Sequence, residues 1–194
     1  MVKGEVRARM VATAARLLAE QGPTGASFGD VLKTSGAARG STYHHFPQGK
    51  REMYDAALDL ASQHVYSVLD QVRGQSAVVI VEKFFAMWRN ILTKSDLRRG
   101  CAILAVAVAG ENQQNLSHTG TLFRDFRGHL AALFTEGGLG EGRAQALAAT
   151  TLAAAEGAVA IARAEQSISV FDLVAAQAAD LAARMTTESG GCDD

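Results

Sequence analysis

Proline and cysteine are scarce: the 194 residues hold 2 of each. Cys101 and Cys192 lie far apart, and neither belongs to a Cys-x-x-Cys pair or a Cys/His ligand spacing. That argues against a disulfide framework and against a zinc site, and it fits a reducing cytoplasm. The first residues are polar and charged, unlike a secretion signal. Long hydrophobic runs are missing as well. Cys101–Ala109 is too short to span a bilayer, and the stretch Val78–Trp88 is broken by Glu82 and Lys83, so no membrane partner is expected. Period-two alternation of β-branched residues is rare, whereas alanine and leucine abound. With only Pro23 and Pro47 as imino breakers, the chain reads as all-α. No nucleophile elbow, phosphate loop or site-like carboxylate pair occurs, so no catalytic residue, cofactor or enzyme activity is expected.

A net charge of −1 would by itself discourage a polyanionic partner, but the charge is unevenly spread. Residues 1–51 hold eight lysines and arginines against three acids, a net of +5. The remainder holds 11 basic against 17 acidic residues, a net of −6. A basic head on an acidic body is the pattern expected when only the head meets phosphates.

Apolar spacing predicts about nine helices. The first runs from about Gly4 to the stop at Gly22-Pro23. Ser27 opens a short second helix, with Asp30 three residues on as a capping box. Gly36 suits a tight turn, and a third helix is expected over about Ala38–His44, closed by Phe46-Pro47. A long helix follows over about Lys50–Arg73. Further helices are expected near Ser76–Leu92, Gly100–Gly110, Leu116–Glu136, Gly142–Glu165 and Val170–Thr187. The domain division expected is 1–49 for the basic head, 50–188 for the acidic body, and 189–194 for a frayed tail.

Two short helices joined by a glycine turn behind a longer one make a helix-turn-helix, whose second short helix enters the major groove. Its chemistry here is suitable. Arg39 offers donors for guanine edges or phosphate, Ser41 and Thr42 offer hydroxyls, and Tyr43 and His44 offer donors on rigid rings. Lys50 can meet a phosphate, and Ser27 can cap its helix and also donate to the DNA backbone. Gly40, inside the expected helix, costs about 1 kcal/mol relative to alanine, which a close approach to DNA or to a neighbouring helix would explain. Lys33, Arg7 and Arg9 fit a phosphate contact or a solvated face equally. Adjacent histidines on a helix diverge, so His44 and His45 are not expected to hold a metal.

These motifs together resemble the N-terminal domain of the TetR family of regulators. The resemblance covers Arg9–Tyr54 and rests on Ala14-Ala15-Arg16-Leu17-Leu18, Ser27-Phe28-Gly29-Asp30-Val31, Ser35-Gly36-Ala37, Gly40-Ser41-Thr42-Tyr43-His44-His45-Phe46 and Lys50-Arg51-Glu52-Met53. It implies phosphate contacts from Tyr43, His45 and Lys50 and base contacts from the Ala38, Arg39, Gly40, Ser41 and Thr42 region. Thr42 departs from the apolar residue usual there, which leaves either a packed methyl or a groove-facing hydroxyl. The body resembles the LmrA/YxaF-like branch through His44–Lys50, Gly100-Cys101-Ala102, Glu156-Gly157-Ala158 and Ala162-Arg163-Ala164-Glu165.

Within the body, Phe84, Trp88, Leu104, Val108, Phe123, Arg127, Leu152 and Glu156 are candidates to line a pocket for a small effector, although aromatics at helical spacing also describe plain core. Glu156 reads equally as a structural charge or a pocket group, and Cys101 as a small buried residue. Leu147, Thr151, Ala155 and Val159 on one helix, and Phe171, Val174, Ala178, Leu181 and Met185 on the next, are expected to form a two-fold dimer face. The expected function is a repressor released from a palindromic operator by a small apolar or aromatic ligand. A regulator without a ligand, an activator, or a helical binding protein or enzyme with a vestigial head are the alternatives.

Overall fold

The structure, a computed structural model, describes residues 3–110 and 113–187; the tail expected at 189–194 lies outside them. The described residues form nine α-helices and no strand. They are α1 (Lys3–Gln21), α2 (Phe28–Ser35), α3 (Ser41–His45), α4 (Lys50–Leu69), α5 (Ala77–Lys94), α6 (Ala102–Ala109), α7 (Gln113–Glu136), α8 (Glu141–Glu165) and α9 (Ser169–Thr187). Short 3-10 turns occupy Pro23–Gly25 and Asp70–Val72.

The chain divides into two compact units, 1–64 with 101–123 and 65–100 with 124–194. The division does not fall at residue 49. The first turns of α4 bury Met53, Tyr54, Ala57 and Leu58 in the same core as Met10, Ala14, Leu18, Val31 and Phe46. Ala102 and Val106 of α6 and Leu122 of α7 join that core, and α6 packs on α1. A strict head made of α1–α3 alone would leave this apolar surface in water, at a loss of about 25 cal/mol per Å².

In the second unit α5 buries Ala77, Ile80, Val81, Phe84, Phe85, Trp88 and Leu92, a broad apolar stripe that α8 and α9 cover. Phe84 stacks near Phe85 and Phe126, and Phe85 near Phe171. Phe84 is thus sealed core. Arg89 of α5 grips Asp172 of α9 through two bonds of 2.9 and 3.1 Å.

The dimer stripe read from the sequence is corrected here. Leu147, Thr151, Ala155, Val159, Phe171 and Ala178 are buried inside a single chain, whereas Val174, Leu181 and Met185 of the same expected face are half-buried. The buried six belong to the inner face of α8 and α9. The outer face of α8 is a second stripe: Ala146, Ala149, Thr150, Ala153, Gly157, Ala160, Ile161 and Ala164 are all exposed. Ile161 is 45% exposed, and Leu173 on α9 is 69% exposed. Being apolar on both faces also makes α8 the one described helix that is long and apolar enough, by length and composition alone, to cross a membrane.

Candidate nucleic-acid interface

Ser27, itself extended, caps α2. The Asp30 amide donates to its hydroxyl oxygen at 3.2 Å, and the Ser27 amide donates back to the Asp30 carboxylate at 3.1 Å. The Ser27 hydroxyl itself donates to that carboxylate, so it is engaged within the protein rather than held out for DNA. Bonding from Ser27, first by its hydroxyl and then by its amide, holds the Asp30 carboxyl below its usual value. A depressed carboxyl stabilises the fold above its unfolded pKa of 3.8, and the contribution is lost as pH falls through the lower folded value. The head of the Ser27→Ala variant should therefore be less stable than wild type at pH 6, and the gap should narrow below pH 4. Circular dichroism melts at the two pH values check this.

Gly36 ends α2 in the left-handed conformation, with φ of 66°, which lets the chain turn toward α3 without a Cβ clash. α3 begins at Ser41, not at Ala38. Ala38, Arg39 and Gly40 form the exposed approach to the helix. Gly40 is therefore an N-cap and not a helix-interior residue, and a Cβ there would meet nothing within 4 Å. The neighbouring helix does not require this glycine.

Thr42 and Phe46, four residues apart, anchor α3. Thr42 is 4% exposed, and its hydroxyl donates to the Arg39 carbonyl at 3.0 Å. The groove-facing alternative for this hydroxyl is thereby corrected: the side chain packs inward and closes the turn before α3. Phe46 is fully buried, beside the Phe28 ring at 6.2 Å and under the Arg7 guanidinium at 5.2 Å. Arg7 also lies 3.8 Å from Glu52, so its charge is engaged within the head.

With Thr42 and Phe46 inward, the opposite side chains are forced outward. Tyr43 is 82% exposed, the most exposed large hydrophobic among the described residues. Arg39, His44 and Lys33 are exposed, and His45 is half-buried with its ring 5.2 Å from that of His44. Lys50 opens α4, its ammonium 4.9 Å over the Tyr54 ring. Tyr54 is buried, and its phenol donates to the Pro23 carbonyl at 2.8 Å, tying α4 to the turn after α1. Among the described residues no cluster of histidine, cysteine and acids could hold a metal. An exposed helix bearing Tyr43 and His44, flanked by Arg39 and Lys50 and backed by a packed core, can present donors to phosphates and base edges.

Two family models match the chain. Residues 10–64 match bacterial regulatory proteins of the tetR family, and residues 77–177 match the C-terminal domain of LmrA/YxaF-like transcriptional regulators. A helix-turn-helix transcriptional regulator of Mycobacterium tuberculosis is 33% identical over 182 residues, covering 90% of this chain and 93% of its own. The chain belongs to the TetR family of transcriptional regulators. It is a DNA-binding regulator and not an enzyme, and its C-terminal part is of the LmrA/YxaF-like kind. LmrA of Bacillus subtilis is 34% identical over 65 residues, 34% of this chain and 35% of its own. A TetR-family regulator from Agrobacterium tumefaciens shares the fold with a TM-score of 0.80 at 17% identity, covering 92% of this chain and 98% of its own.

The eight effector-site candidates of this TetR regulator do not gather in one unit. Leu104, Val108 and Phe123 belong to the first, and Phe84, Trp88, Arg127, Leu152 and Glu156 to the second. Phe84 and Trp88 are buried core, and Val108 is 74% exposed at the end of α6. Leu152 and Glu156 are half-buried on α8. Arg127 alone of the eight lines a groove of about 980 Å³ between α7 and α8, with Arg124, Ala131, Thr135, Gln145 and Ala149. Cys101 is half-buried and caps α6, its sulfur accepting from the Leu104 amide at 3.4 Å.

Sequence reasoning missed Tyr54, Gln48 and Arg51. Arg51 bonds Gln48 and, on α7, Gln114, each at 3.0 Å. Nothing local in the sequence marks a bond that spans 63 residues.

Proposed function

We propose that this TetR-family protein acts as a homodimeric repressor that binds an inverted-repeat operator and leaves it when a small molecule binds the body. The observation that carries the reading is α3, anchored inward by Thr42 and Phe46 and presenting Tyr43, His44 and Arg39 outward. One such helix touches too few base pairs for specificity, and a two-fold partner supplies the second helix, roughly 34–36 Å away along the duplex. The outer stripe of α8 with Leu173 of α9 supplies the partner surface. Its alanines and Gly157, where a Cβ would meet open space, let a second helix come close. Work on DNA places the protein in the cytoplasm.

The contacts proposed are Tyr43, His45 and Lys50 to phosphates, and the Ala38–Ser41 segment, Arg39 above all, to base edges. Ser27 and Thr42 support these contacts from within the fold. A small apolar or aromatic effector suits the α7–α8 groove, where alanines face Arg124 and Arg127. Release requires that the effector bind the DNA-incompetent state more tightly than the competent one.

Selection of bound duplexes from a random pool tests the reading. Two half-sites in inverted orientation, with centres about one helical turn apart, are the expected product. A single half-site, or no enriched sequence, would refute the two-fold operator.

A further inference from the structure

The turn that carries the chain from α3 into α4 is held from an unexpected direction. Gln48 is exposed, and its amide N–H donates to the Glu52 carboxylate at 3.1 Å. Its side-chain carbonyl accepts from Arg51 Nη2 at 3.0 Å. That bond fixes the orientation of the carboxamide, and its Nε2 donor keeps no partner among the described residues. The other arm of the same guanidinium, Nη1, donates to Gln114 Oε1 on the first turn of α7 at 3.0 Å. One turn further along each helix, His118 lies 4.0 Å from Asp55 and 3.3 Å from Asp59. Residues 51, 55 and 59 are one stripe of α4, and 114 and 118 one stripe of α7. The whole arrangement lies within the first unit.

We infer that Gln48 is a further DNA-backbone contact, aimed by Arg51, and that Gln114 of α7 sets the position of Arg51. A planar guanidinium holds two acceptors at a fixed angle, and a lysine there would keep the charge but lose the fork. Gln48 stands two residues before Lys50, on the same exposed turn as the proposed phosphate contact. A neutral amide donor fixed in orientation suits a phosphate oxygen. The role assigned to Gln114 has a consequence for control. α7 is unbroken from Gln113 to Glu136, so the residue that steadies this turn rides on the helix that also bears Arg124 and Arg127. The inference rests on α3 and its flanks meeting DNA.

The test uses the full-length protein and a duplex selected by the wild type, titrated at several salt concentrations. Gln48→Ala, Gln114→Ala and Arg51→Lys should each weaken binding by about threefold to fivefold per half-site, the range of an exposed polar link. None removes a charge, so all three should keep the wild-type slope of log affinity against log salt. The Gln48→Ala/Gln114→Ala double variant should be no worse than Gln48→Ala alone, because the two act through one contact. Alanine at the exposed Gln114 leaves the helix intact, and thermal melts verify the fold. Wild-type affinity in Gln114→Ala, or full additivity in the double variant, overturns the inference. An Arg39→Ala control separates the two levels. If Arg39→Ala loses affinity while Gln114→Ala does not, only the link fails; if neither does, the interface itself is misplaced.

Discussion

Tyr43→Ala should weaken binding to a selected duplex by about 10- to 100-fold and leave the melting temperature within a degree or two of wild type. The expectation follows from the division of labour in α3. Tyr43 is 82% exposed, so its removal opens no cavity, whereas its neighbours Thr42 and Phe46 carry the packing. A single hydrogen bond is worth about 0.5–1.5 kcal/mol net, and a two-fold dimer loses it twice. Arg39→Ala should produce a loss of similar size with a different signature. If Arg39 reads a base edge, discrimination at one position of each half-site should relax; if it meets phosphate, the salt slope should fall by about one per half-site. Fluorescence anisotropy titrations over a salt series, with wild-type and point-changed duplexes, distinguish these outcomes. Wild-type affinity in both variants would remove α3 from the interface.

The second large effect concerns assembly. Ile161→Asp combined with Leu173→Asp should convert the protein to a monomer and lower operator affinity by more than 100-fold, because linked half-sites gain on the order of 10²–10⁴ from being bound together. Both side chains are exposed in the single chain, so two carboxylates there are solvated and the fold survives. Sedimentation velocity reads the mass, and circular dichroism the helicity. A change at Leu147, by contrast, strikes the core: Leu147→Ala should cost about 2–5 kcal/mol of stability. A variant pair that remains dimeric would show that the outer stripe of α8 and α9 is not the contact.

What the sequence disclosed follows the range of each interaction. The capping box of Ser27 and Asp30 was legible because its partners are three residues apart and its chemistry is local. The start of α3 was less so: Arg39 and Gly40 suit a helix by spacing, but the Thr42 hydroxyl closes on the Arg39 carbonyl and delays the first turn to Ser41. The same bond decides the direction of Thr42, which residue type alone left open. Alanine-rich α8 misled for another reason. Period 3.6 marks an apolar face only where the other face is polar, and here both are apolar. The larger residues Leu147 and Val159 drew attention to the stripe that the core had already claimed. Tyr54 and Gln114 were invisible because their partners lie 31 and 63 residues away, where neither spacing nor capping chemistry reports. The effector candidates mixed residues of two units, since a list of aromatics carries no information on which core each one enters.

In the dimer proposed above, the outer stripe of α8 also bears on how the protein distinguishes itself from its own relatives. Methyl groups and a glycine fit against almost any helix of similar make-up, so such a surface supplies contact without choice. Selectivity between this chain and a paralogue then falls to the polar residues at its margin, among them Gln145, Gln177, Asp180 and Arg184, all exposed. A cell holding several regulators of this kind would keep their dimers separate through those few rim positions, and drift in them alone would be enough to create or abolish mixed pairs with mixed operators.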